Sequence, residues 1–354
     1  MRIGDREIGP NHPPYVIAEI GVNHDGSVER ALALARMARD AGADAVKLQL
    51  FKTDLLLSRS AKLAAYQESA GETDPIGMLR RLELSVEQMT PVVGVIHELR
   101  LHAIVTVFSV ELVGEARSLG WDAYKMASPD IINRPLLDEI ATTGGPMIVS
   151  TGASTLAEVE RAVGWLKRAG ERVALLQCVS CYPTPIEHAS LGGIAAIGEV
   201  FAGPVGYSDH TAGVETGAMA VAAGACVLDK HLTYDRSAAG PDHAASLDAD
   251  GFRRYVELAR SGVPADVSDK PHKRVLDIER DVRTVSRQSL TPRHSFPAGH
   301  VLTRDDLTIK RPGIGLEPCE LEGVVGRALA RDVEADVPLT RGDLQTGPAD
   351  RDAR

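Results

Sequence analysis

The sequence predicts a (β/α)8 TIM barrel followed by a small, mostly β-stranded domain. Short apolar runs alternate with helix-like stretches eight times over about 250 residues, which is typical of a parallel barrel. No glycine-rich nucleotide-binding turn follows a run, and this disfavours the rival doubly wound sheet. From residue 286 the pattern changes to short strand-like pieces separated by turn residues, which indicates a second domain.

The barrel strands are predicted from runs rich in β-branched and apolar residues. In chain order these runs are VIAEIG (16–21), AVKLQLF (45–51), AIVTVFS (103–109), AYKMAS (123–128), PMIVST (146–151), VALLQCVS (173–180), PVGYSDH (204–210) and VLDKHLT (227–233). Two of the helical connections begin at the N-capping residues Ser27 and Thr155. Residues 52–102 form a longer connection with a polar segment, SAGETDPIG, and we expect it to cover a substrate site.

The chain divides into four predicted segments. The barrel covers residues 1–262, and a polar, proline-containing linker covers 263–285. A compact domain over 286–345 contains the pieces RQSLTP, FPAGHVLT, LTIKRPGIG and VVGRALARDV. The last residues, 346–354, are expected to be a disordered tail.

The composition limits the classes of function. Hydrophobic residues make up 44% of 354 residues, which is enough for a sizeable core. A net charge of −10 argues against non-specific binding to nucleic acid or to a membrane surface, but a local cationic pocket can still bind an anion. No apolar run approaches the roughly 18 residues of a membrane span. The start, MRIGDREIGP, lacks the apolar segment of a signal peptide, so a cytoplasmic protein is expected.

Four cysteines are too few for a disulfide framework in a chain of this length. Cys178 and Cys181 form a C-x-x-C motif, but no second ligand pair lies at zinc-site spacing. The motif also stands at a strand end before Tyr182-Pro183 and does not open a helix, as a redox motif would. We interpret these cysteines as ordinary buried or cavity-lining thiols.

Strand alternation places several polar side chains inside the barrel. In the second run the apolar residues face the helices, so Lys47 and Gln49 share the inner face. The same rule puts Glu19 inside in the first run. In the third and fourth runs it puts Thr106 and Lys125 on the inner face.

His210 and His231 end the polar parts of the seventh and eighth runs, with one helix-sized stretch between them. Carboxyl ends of neighbouring parallel strands meet at one mouth, where barrel enzymes carry out their chemistry. His210 shares a strand face with Ser208, and His231 shares one with Asp229. Two imidazoles at one mouth indicate a metal site and an enzyme.

The residue types at this mouth favour particular ligands. Two lysines among hydroxyl groups suit a phosphate or a carboxylate. The hydroxyl groups belong to Ser128, Ser150, Ser180 and Ser208. Two histidines leave most coordination positions of a divalent ion open, which is a Lewis-acid arrangement and not a structural zinc site. With so few soft ligands, Mn²⁺ or Mg²⁺ fits better than Zn²⁺, although the ligand set leaves the choice open.

Each of these residues also has a purely structural explanation. Lys47 and Glu19 would simply form a buried ion pair, and either histidine would be a core residue with satisfied hydrogen bonds. Burial of such groups is costly unless each is paired or meets a ligand. Two lysines, one glutamate and two histidines at one mouth favour the functional explanation for the set.

Several motifs resemble the sialic acid synthase family and occur in one order along the chain. They are AEIGVNHDGS (18–27), AVKLQLFK (45–52), STGAST (150–155), CYPTP (181–185), GYSDHTAG (206–213), DKHLT (229–233), GPDHAAS (240–246) and, in the small domain, KRPGIG (310–315). The resemblance covers residues 1–345. It implies a (β/α)8 barrel with a C-terminal antifreeze-like (SAF, β-clip) domain. It also implies condensation of phosphoenolpyruvate with an N-acetylated mannosamine-type sugar, giving a nine-carbon keto acid and phosphate.

The resemblance implies a role for each matching residue. His210 and His231 resemble the metal ligands, usually for Mn²⁺, with Mg²⁺ or Co²⁺ as alternatives. Lys47 and Lys125 resemble the cationic partners of phosphoenolpyruvate. The implied hydroxyl contacts to phosphoenolpyruvate are Thr106, Ser128, Ser150, Ser180 and Ser208. Gln49 and Tyr182 resemble residues that line the pocket. Asp242 resembles a sugar-hydroxyl ligand, and Arg311 resembles the sugar-binding arginine. In the family this arginine reaches the barrel of the partner subunit in a domain-swapped homodimer.

The resemblance also implies the order of bond changes. A bound metal polarises the aldehyde of the open-chain sugar, and C3 of phosphoenolpyruvate attacks that carbon. Water then adds at C2, and the tetrahedral intermediate loses phosphate by C–O cleavage. Glu19 resembles the acid/base group that moves protons around this water.

Two departures from the family pattern affect the expected selectivity for the sugar. The usual S-T-P-F is here Val105-Thr106-Val107-Phe108, which keeps the threonine but can shift the neighbouring backbone. The usual S-G-E is Ser128-Pro129-Asp130, and the shorter acid loses one methylene of reach.

Four hypotheses follow. The first is an N-acetylneuraminate synthase. The second is a synthase of legionaminate, pseudaminate or a related nonulosonate, or a homologue that serves spore-coat polysaccharide synthesis. The third, a different class, is a metal-free Schiff-base aldolase that uses Lys47 or Lys125. The fourth is a non-catalytic carbohydrate-binding or polysaccharide-assembly protein.

Overall fold

A computed structural model describes residues 1–262 and 270–345. Its main strands are β1 (Tyr15–Glu19), β2 (Ala45–Leu50), β3 (His102–Val107), β4 (Ala123–Met126), β5 (Met147–Ser150), β6 (Val173–Cys178), β7 (Val205–Asp209) and β8 (Val227–His231). These parallel strands close into a barrel in the order β8-β1-β2-β3-β4-β5-β6-β7. The predicted (β/α)8 barrel is therefore confirmed, and the predicted runs differ from the strands by at most two residues at either end.

Helices follow every strand of the barrel. They are α1 (Val28–Asp40), α2 (Thr53–Leu56), α3 (Ala65–Ser69), α4 (Pro75–Leu82), α5 (Val86–Glu98), α6 (Val113–Ala116), α7 (Arg134–Ala141), α8 (Leu156–Leu166), α9 (Gly192–Val200), α10 (Thr216–Ala222) and α11 (Ala249–Arg260). The long connection after β2 thus contains α2 to α5. Within the two described ranges, no helix has both the length and the apolar character needed to cross a membrane.

Strand alternation separates two apolar layers, as the sequence predicts. Val46 and Leu48 of β2 point outward and pack between the barrel and its helices. Ala45 of the same strand points inward and packs against Ile104 and Ile148 in the lower half of the barrel. The polar inward-facing residues lie above this inner layer, towards the carboxyl ends of the strands.

The amino end of the barrel is closed by the first residues of the chain. Arg2–Ile3 and Arg6–Glu7 form a two-stranded antiparallel sheet. Ile3 packs into the inner apolar layer, against Tyr15 and Ile17 among others. Polar groups that need access to a ligand therefore collect at the opposite end.

The C-terminal domain contains β9 (Ser289–Pro292) and β10 (Leu307–Lys310), which pair antiparallel, and the short helix Leu321–Val324. Isolated bridges such as Phe296 with Val333 complete its pairing. A separate apolar core, made largely of leucines, holds this domain together. The predicted compact β domain is therefore present.

The C-terminal domain covers the carboxyl end of the barrel. The backbone N–H of Arg311 donates to the carbonyl oxygen of Leu56 at 2.8 Å, and the carbonyl oxygen of Arg311 accepts from Ser58 N at 3.0 Å. Gln288 Nε2 donates to the carbonyl oxygen of Phe108 at 3.2 Å. Hydrogen bonds thus join this domain to the connections after β2 and β3.

Only part of the predicted linker, 263–285, falls within the described residues. Residues 263–269 lie outside them, as does the predicted tail, 346–354. Further along, Asp277–Glu279 forms a 3-10 turn that leads directly into the helix Arg280–Ser286, labelled α12. Polar composition suggested an extended linker here, but these polar side chains bind the barrel. Glu279, for example, is 1% exposed.

Candidate active site

The carboxyl end of the barrel holds a cavity of about 140 Å³. It is lined by all the site residues that the sequence predicted, which are Glu19, Lys47, Gln49, Thr106, Lys125, Ser128, Ser150, Ser180, Tyr182, Ser208, His210, His231, Asp242 and Arg311. Strand register explains the central contacts. Glu19 on β1 is paired with Lys47 on β2 and with His231 on β8.

Four buried charged side chains form the floor of the cavity. Lys47 Nζ forms an ion pair with Glu19 and lies 3.3 Å from Asp229 Oδ2. Lys125 Nζ lies 3.5 Å from the same oxygen. Burial opposes ionisation of Asp229, but Lys47 and Lys125 outweigh it and lower its pKa. One carboxylate oxygen of Asp229 therefore lies close to the ammonium groups of both lysines.

Glu19 is the acid of this group whose ionisation is most disfavoured. Burial raises its pKa to about 7, although Lys47 favours the ionised form. Its Oε1 accepts from Gly21 N at 2.6 Å, and Gln49 Nε2 lies 3.4 Å away. A carboxyl group with this pKa can both give and take a proton near neutral pH.

The pKa of Lys125 shifts in the opposite direction from that of Glu19. Its Nζ donates to Ser150 Oγ at 2.6 Å and to the carbonyl oxygen of Met126 at 3.2 Å. Burial and the charge of Lys47 lower the pKa of Lys125 to about 8. An anionic ligand between the two lysines would relieve their repulsion.

Serine hydroxyls surround a backbone position where only glycine fits. Ser128 Oγ accepts from Gly152 N at 2.8 Å. A Cβ at Gly152 would lie 2.3 Å from Ser180 Oγ and 2.7 Å from Ser128 Oγ. The loop after β5 therefore packs directly on both hydroxyls, and this close packing fixes their spacing.

The two histidines are suited to hold a metal ion. His210 Nδ1 donates to the carbonyl oxygen of Val179 at 2.9 Å, so in the neutral imidazole Nε2 keeps its lone pair. His231 Nδ1 is buried without a hydrogen-bond partner and lies 3.5 Å from Asp242 Oδ2. Burial and the neighbouring His210 lower the pKa of His231 well below its usual value, which keeps this imidazole neutral.

No three His, Cys, Asp or Glu side chains in residues 1–262 and 270–345 converge on a common metal position. The rings of His210 and His231 nevertheless lie 5.5 Å apart between centroids. A divalent ion here would have two protein nitrogens and would leave its other positions to ligands from solution. The metal site itself stays a prediction.

A stack of aromatic rings forms one wall of the cavity. Tyr182 packs on His210 at 4.1 Å between ring centroids, and Tyr66 packs on Tyr182 at 4.8 Å. Tyr66 belongs to α3, in the long connection after β2. The predicted covering segment therefore supplies a ring to the cavity.

Another wall is apolar. It is formed by side chains from the loops and short helices near β1 to β4, which are Val22, Phe51, Leu56, Met78, Leu79, Leu82, Phe108 and Ala127. None of these side chains offers a hydrogen bond. A ligand that fills the cavity must therefore present an apolar surface on this side.

Arg311 and Asp130 lie at the edge of the apolar wall. The guanidinium of Arg311 is 5.4 Å from the centre of the Phe108 ring, and its Nε has no hydrogen-bond partner. Both carboxylate oxygens of Asp130 are also unpartnered. Burial raises the pKa of Asp130 to about 7, while Arg311 and Lys125 favour its ionised form. In this single chain Arg311 enters the cavity of its own barrel; exchange of the domain between subunits stays a prediction.

Among the lining residues to which sequence reasoning assigned no role are Asp229 and Tyr66. Asp229 shares an inner strand face with His231, so strand alternation could have identified it. Tyr66 lies in a connection without strand or long-helix periodicity, and no signal in the sequence marks it.

Comparison with known proteins identifies the family. Residues 34–266 match the NeuB family and residues 287–345 match the SAF domain. The chain is 34% identical over 343 residues to N,N'-diacetyllegionaminic acid synthase of Legionella pneumophila, covering 95% of this chain and 96% of that protein. It is 30% identical over 335 residues to N-acetylneuraminate-9-phosphate synthase of Homo sapiens, covering 94% and 92%.

Solved structures support the same conclusion. The crystal structure of the spore coat polysaccharide biosynthesis protein spsE from Bacillus subtilis has a TM-score of 0.85 and 28% identity, covering 98% of this chain and 99% of that one. The resemblance to sialic acid synthases is therefore confirmed over nearly the whole chain. The chain belongs to the NeuB family and carries a SAF domain after its barrel.

Proposed function

We propose that this protein condenses phosphoenolpyruvate with an N-acetylated mannosamine-type sugar to give a nine-carbon sialic acid, with release of phosphate. One observation carries the proposal. A single cavity brings two buried lysines, a set of serine hydroxyls, two histidines and a carboxyl group with a pKa of about 7 within reach of one another. The relatives named above support the class of reaction.

The anionic substrate fits the end of the cavity that contains Lys47 and Lys125. The hydroxyls of Thr106, Ser128, Ser150, Ser180 and Ser208 line the same end. Without a ligand, Glu19 and Asp229 balance the charge of the two lysines. When phosphoenolpyruvate enters, the lysines can exchange these carboxylates for its phosphate and carboxylate groups. The lysines and serines then bind those groups by charge-assisted hydrogen bonds.

His210 and His231 would hold a divalent ion, for which we propose Mn²⁺, with Mg²⁺ or Co²⁺ as alternatives. When bound, such an ion supplies Lewis-acid polarisation of a carbonyl group. The protein supports this use because the hydrogen bond from His210 Nδ1 to Val179 fixes the tautomer and the orientation of the ring.

The reaction needs one water and several proton movements. A C–C bond forms between C3 of phosphoenolpyruvate and the aldehyde carbon of the sugar. Water adds at C2, and the C–O bond to phosphate then breaks, which leaves the keto acid and phosphate. Glu19 lies beside Lys47 and His231 and is the proposed acid/base group for the proton of this water.

The sugar is proposed to occupy the opposite side of the cavity, near Gln49, Tyr182, Asp242 and Arg311. Burial raises the pKa of Asp242 to about 6, so it is mostly ionised at neutral pH and can accept from sugar hydroxyls. The guanidinium of Arg311 has an unpartnered Nε that can donate to the sugar.

Two acceptors are considered. N-acetylmannosamine is the first, which would make the protein an N-acetylneuraminate synthase. A diacetamido sugar is the second, proposed because the Legionella pneumophila relative is an N,N'-diacetyllegionaminic acid synthase. The apolar wall that contains Met78, Leu82 and Phe108 favours the second, because a methyl group of the acceptor could be buried there.

A panel of acetamido sugars tests the proposal. Purified protein with phosphoenolpyruvate and Mn²⁺ is expected to release phosphate with at least one N-acetylated mannosamine-type sugar. Turnover of diacetamido sugars without turnover of N-acetylmannosamine would replace the first acceptor by the second. If no sugar gives phosphate, the carbohydrate-binding hypothesis gains. Covalent trapping of substrate by borohydride on Lys47 or Lys125 would instead favour the Schiff-base aldolase.

We also propose a domain-swapped homodimer in which Arg311 of the partner subunit completes each cavity. Two variants, Lys47→Met and Arg311→Ala, test this when they carry different tags and are expressed together. With exchange, one cavity of the mixed dimer has both intact residues, so it is expected to be more active than either parent at low sugar concentration. A fully active monomer, or a mixed dimer without this gain, would contradict the exchange.

A further inference from the structure

We propose that Glu279 is a positioning residue for the serine end of the cavity, acting through the backbone of two barrel loops. The residues from Lys273 to Arg287 are called the clamp segment here. The inference rests on the proposed function, since it assigns this end of the cavity to phosphoenolpyruvate. Glu279 does not itself line the cavity.

The carboxylate of Glu279 joins three parts of the chain. Its Oε1 accepts from Ala153 N at 2.6 Å and from Ser180 N at 2.8 Å. Its Oε2 accepts from Leu276 N at 2.8 Å, within the clamp segment. One oxygen therefore fixes the separation of the loops after β5 and β6, and the other fixes the clamp segment to them.

Both loops carry groups of the proposed phosphoenolpyruvate site. Ser150, the last residue of β5, accepts from Lys125, and the loop after it contains Gly152, whose N–H donates to Ser128 Oγ. Ser180, in the loop after β6, has its own N–H bound by Glu279. A shift of either loop would therefore move a serine hydroxyl relative to the lysines.

The loop after β5 needs support because of its backbone conformation. Ala153 has a φ of +49°, in the left-handed region that is unfavourable for a residue with a Cβ. The clamp segment binds both backbone groups of Ala153. Glu279 accepts from its N–H, and Arg283 and Arg287 donate to its carbonyl oxygen. These contacts offset the strain.

A carboxylate suits this position better than any neutral side chain. It accepts only, and its two oxygens serve three backbone donors here. Glutamine keeps one accepting oxygen for Ala153 and Ser180, but its NH₂ group would face the N–H of Leu276. Alanine loses all three hydrogen bonds and leaves buried N–H groups without a partner.

Three variants test the role of Glu279. Glu279→Ala is expected to raise the KM for phosphoenolpyruvate by roughly 10- to 100-fold, because displaced serine hydroxyls would lose about one charge-assisted hydrogen bond to this substrate, with a much smaller change in the KM for the sugar. Glu279→Gln is expected to recover most of this loss. Asp277→Asn is the matched control, because Asp277 lies in the same turn but its side chain is 88% exposed, and wild-type constants are expected.

Thermal unfolding and calorimetric titration with phosphoenolpyruvate accompany the kinetics. A Glu279→Ala protein that loses thermal stability but keeps the wild-type KM for phosphoenolpyruvate would overturn the inference. So would equal increases in both KM values. If Glu279→Ala does not fold, Glu279→Gln decides, and a KM for phosphoenolpyruvate no higher than that of Asp277→Asn would count against the inference. A wild-type protein that neither binds phosphoenolpyruvate nor releases phosphate would overturn the proposed function itself.

Discussion

Lys47→Met is expected to slow phosphate release by roughly 10²- to 10³-fold, the typical cost of removing one preorganised electrostatic group. Lys47 Nζ lies between Glu19 and Asp229 and is almost completely buried. The variant loses one of the two cations proposed to bind phosphoenolpyruvate and leaves two buried carboxylates near each other. Phosphate release at saturating and at low phosphoenolpyruvate measures the effect.

The same variant is expected to be less stable by about 3–5 kcal/mol, because it removes one partner of a buried ion pair. Burial already raises the pKa of Glu19 to about 7, and loss of Lys47 raises it further. The folded protein then binds a proton that the unfolded chain does not bind between pH 4.5 and 7. Stability therefore falls as pH rises through this window. The variant is expected to unfold at a lower temperature near pH 8 than near pH 6.

Lys52→Met is the matched control for this prediction. Lys52 follows the same strand, β2, but its side chain is 48% exposed and pairs with Glu115 at the surface. Wild-type activity and stability are expected, since such surface pairs contribute little. Equal losses in both variants, or wild-type activity in Lys47→Met, would contradict the role assigned to Lys47.

Replacing both His210 and His231 with alanine is expected to abolish phosphate release with every sugar tested. Because the two imidazoles are proposed to hold one metal ion together, either single variant is expected to lose nearly as much as the double variant. Wild-type protein treated with a chelator should lose activity in the same way, and Mn²⁺ should restore the wild type only. Binding of phosphoenolpyruvate to the double variant, measured by calorimetry, should persist because both lysines remain.

His12→Ala controls for the loss of a histidine as such, because His12 lies at the other end of the barrel with a side chain that is 41% exposed. Chelator-resistant activity, together with an active double variant, would contradict the metal site and favour the Schiff-base aldolase. A wild-type protein that binds sugar but never releases phosphate would favour the carbohydrate-binding hypothesis.

Strand alternation accounts for most of what the sequence predicted correctly. An inward-facing polar residue near the carboxyl end of a parallel strand must lie at the mouth of the barrel, so the positions of Glu19, Lys47 and Lys125 could be predicted from the sequence. The same rule places Asp229 on the inner face of its strand, together with His231. Its function as the anion between two lysines depends on the closure of the barrel, which brings β8 next to β1.

Two residues outside the strands, Tyr66 and Glu279, escaped prediction for a different reason. Tyr66 and Glu279 reach the site region through connections whose path depends on tertiary contacts, such as the hydrogen bond from Ala65 N to Asp281. The polar clamp segment was assigned to a linker because charge usually indicates solvent exposure. Here the charged groups bind backbone amides and carbonyls of the barrel, which composition alone does not reveal.

The backbone and the side chain of Arg311 make separate contacts. Its N–H and C=O attach the C-terminal domain to Leu56 and Ser58, and any residue with a free N–H keeps these backbone hydrogen bonds. Only its side chain enters the cavity. The proposed contact between Arg311 and the acceptor can therefore be altered at this position, in evolution or in the laboratory, while the two domains stay joined.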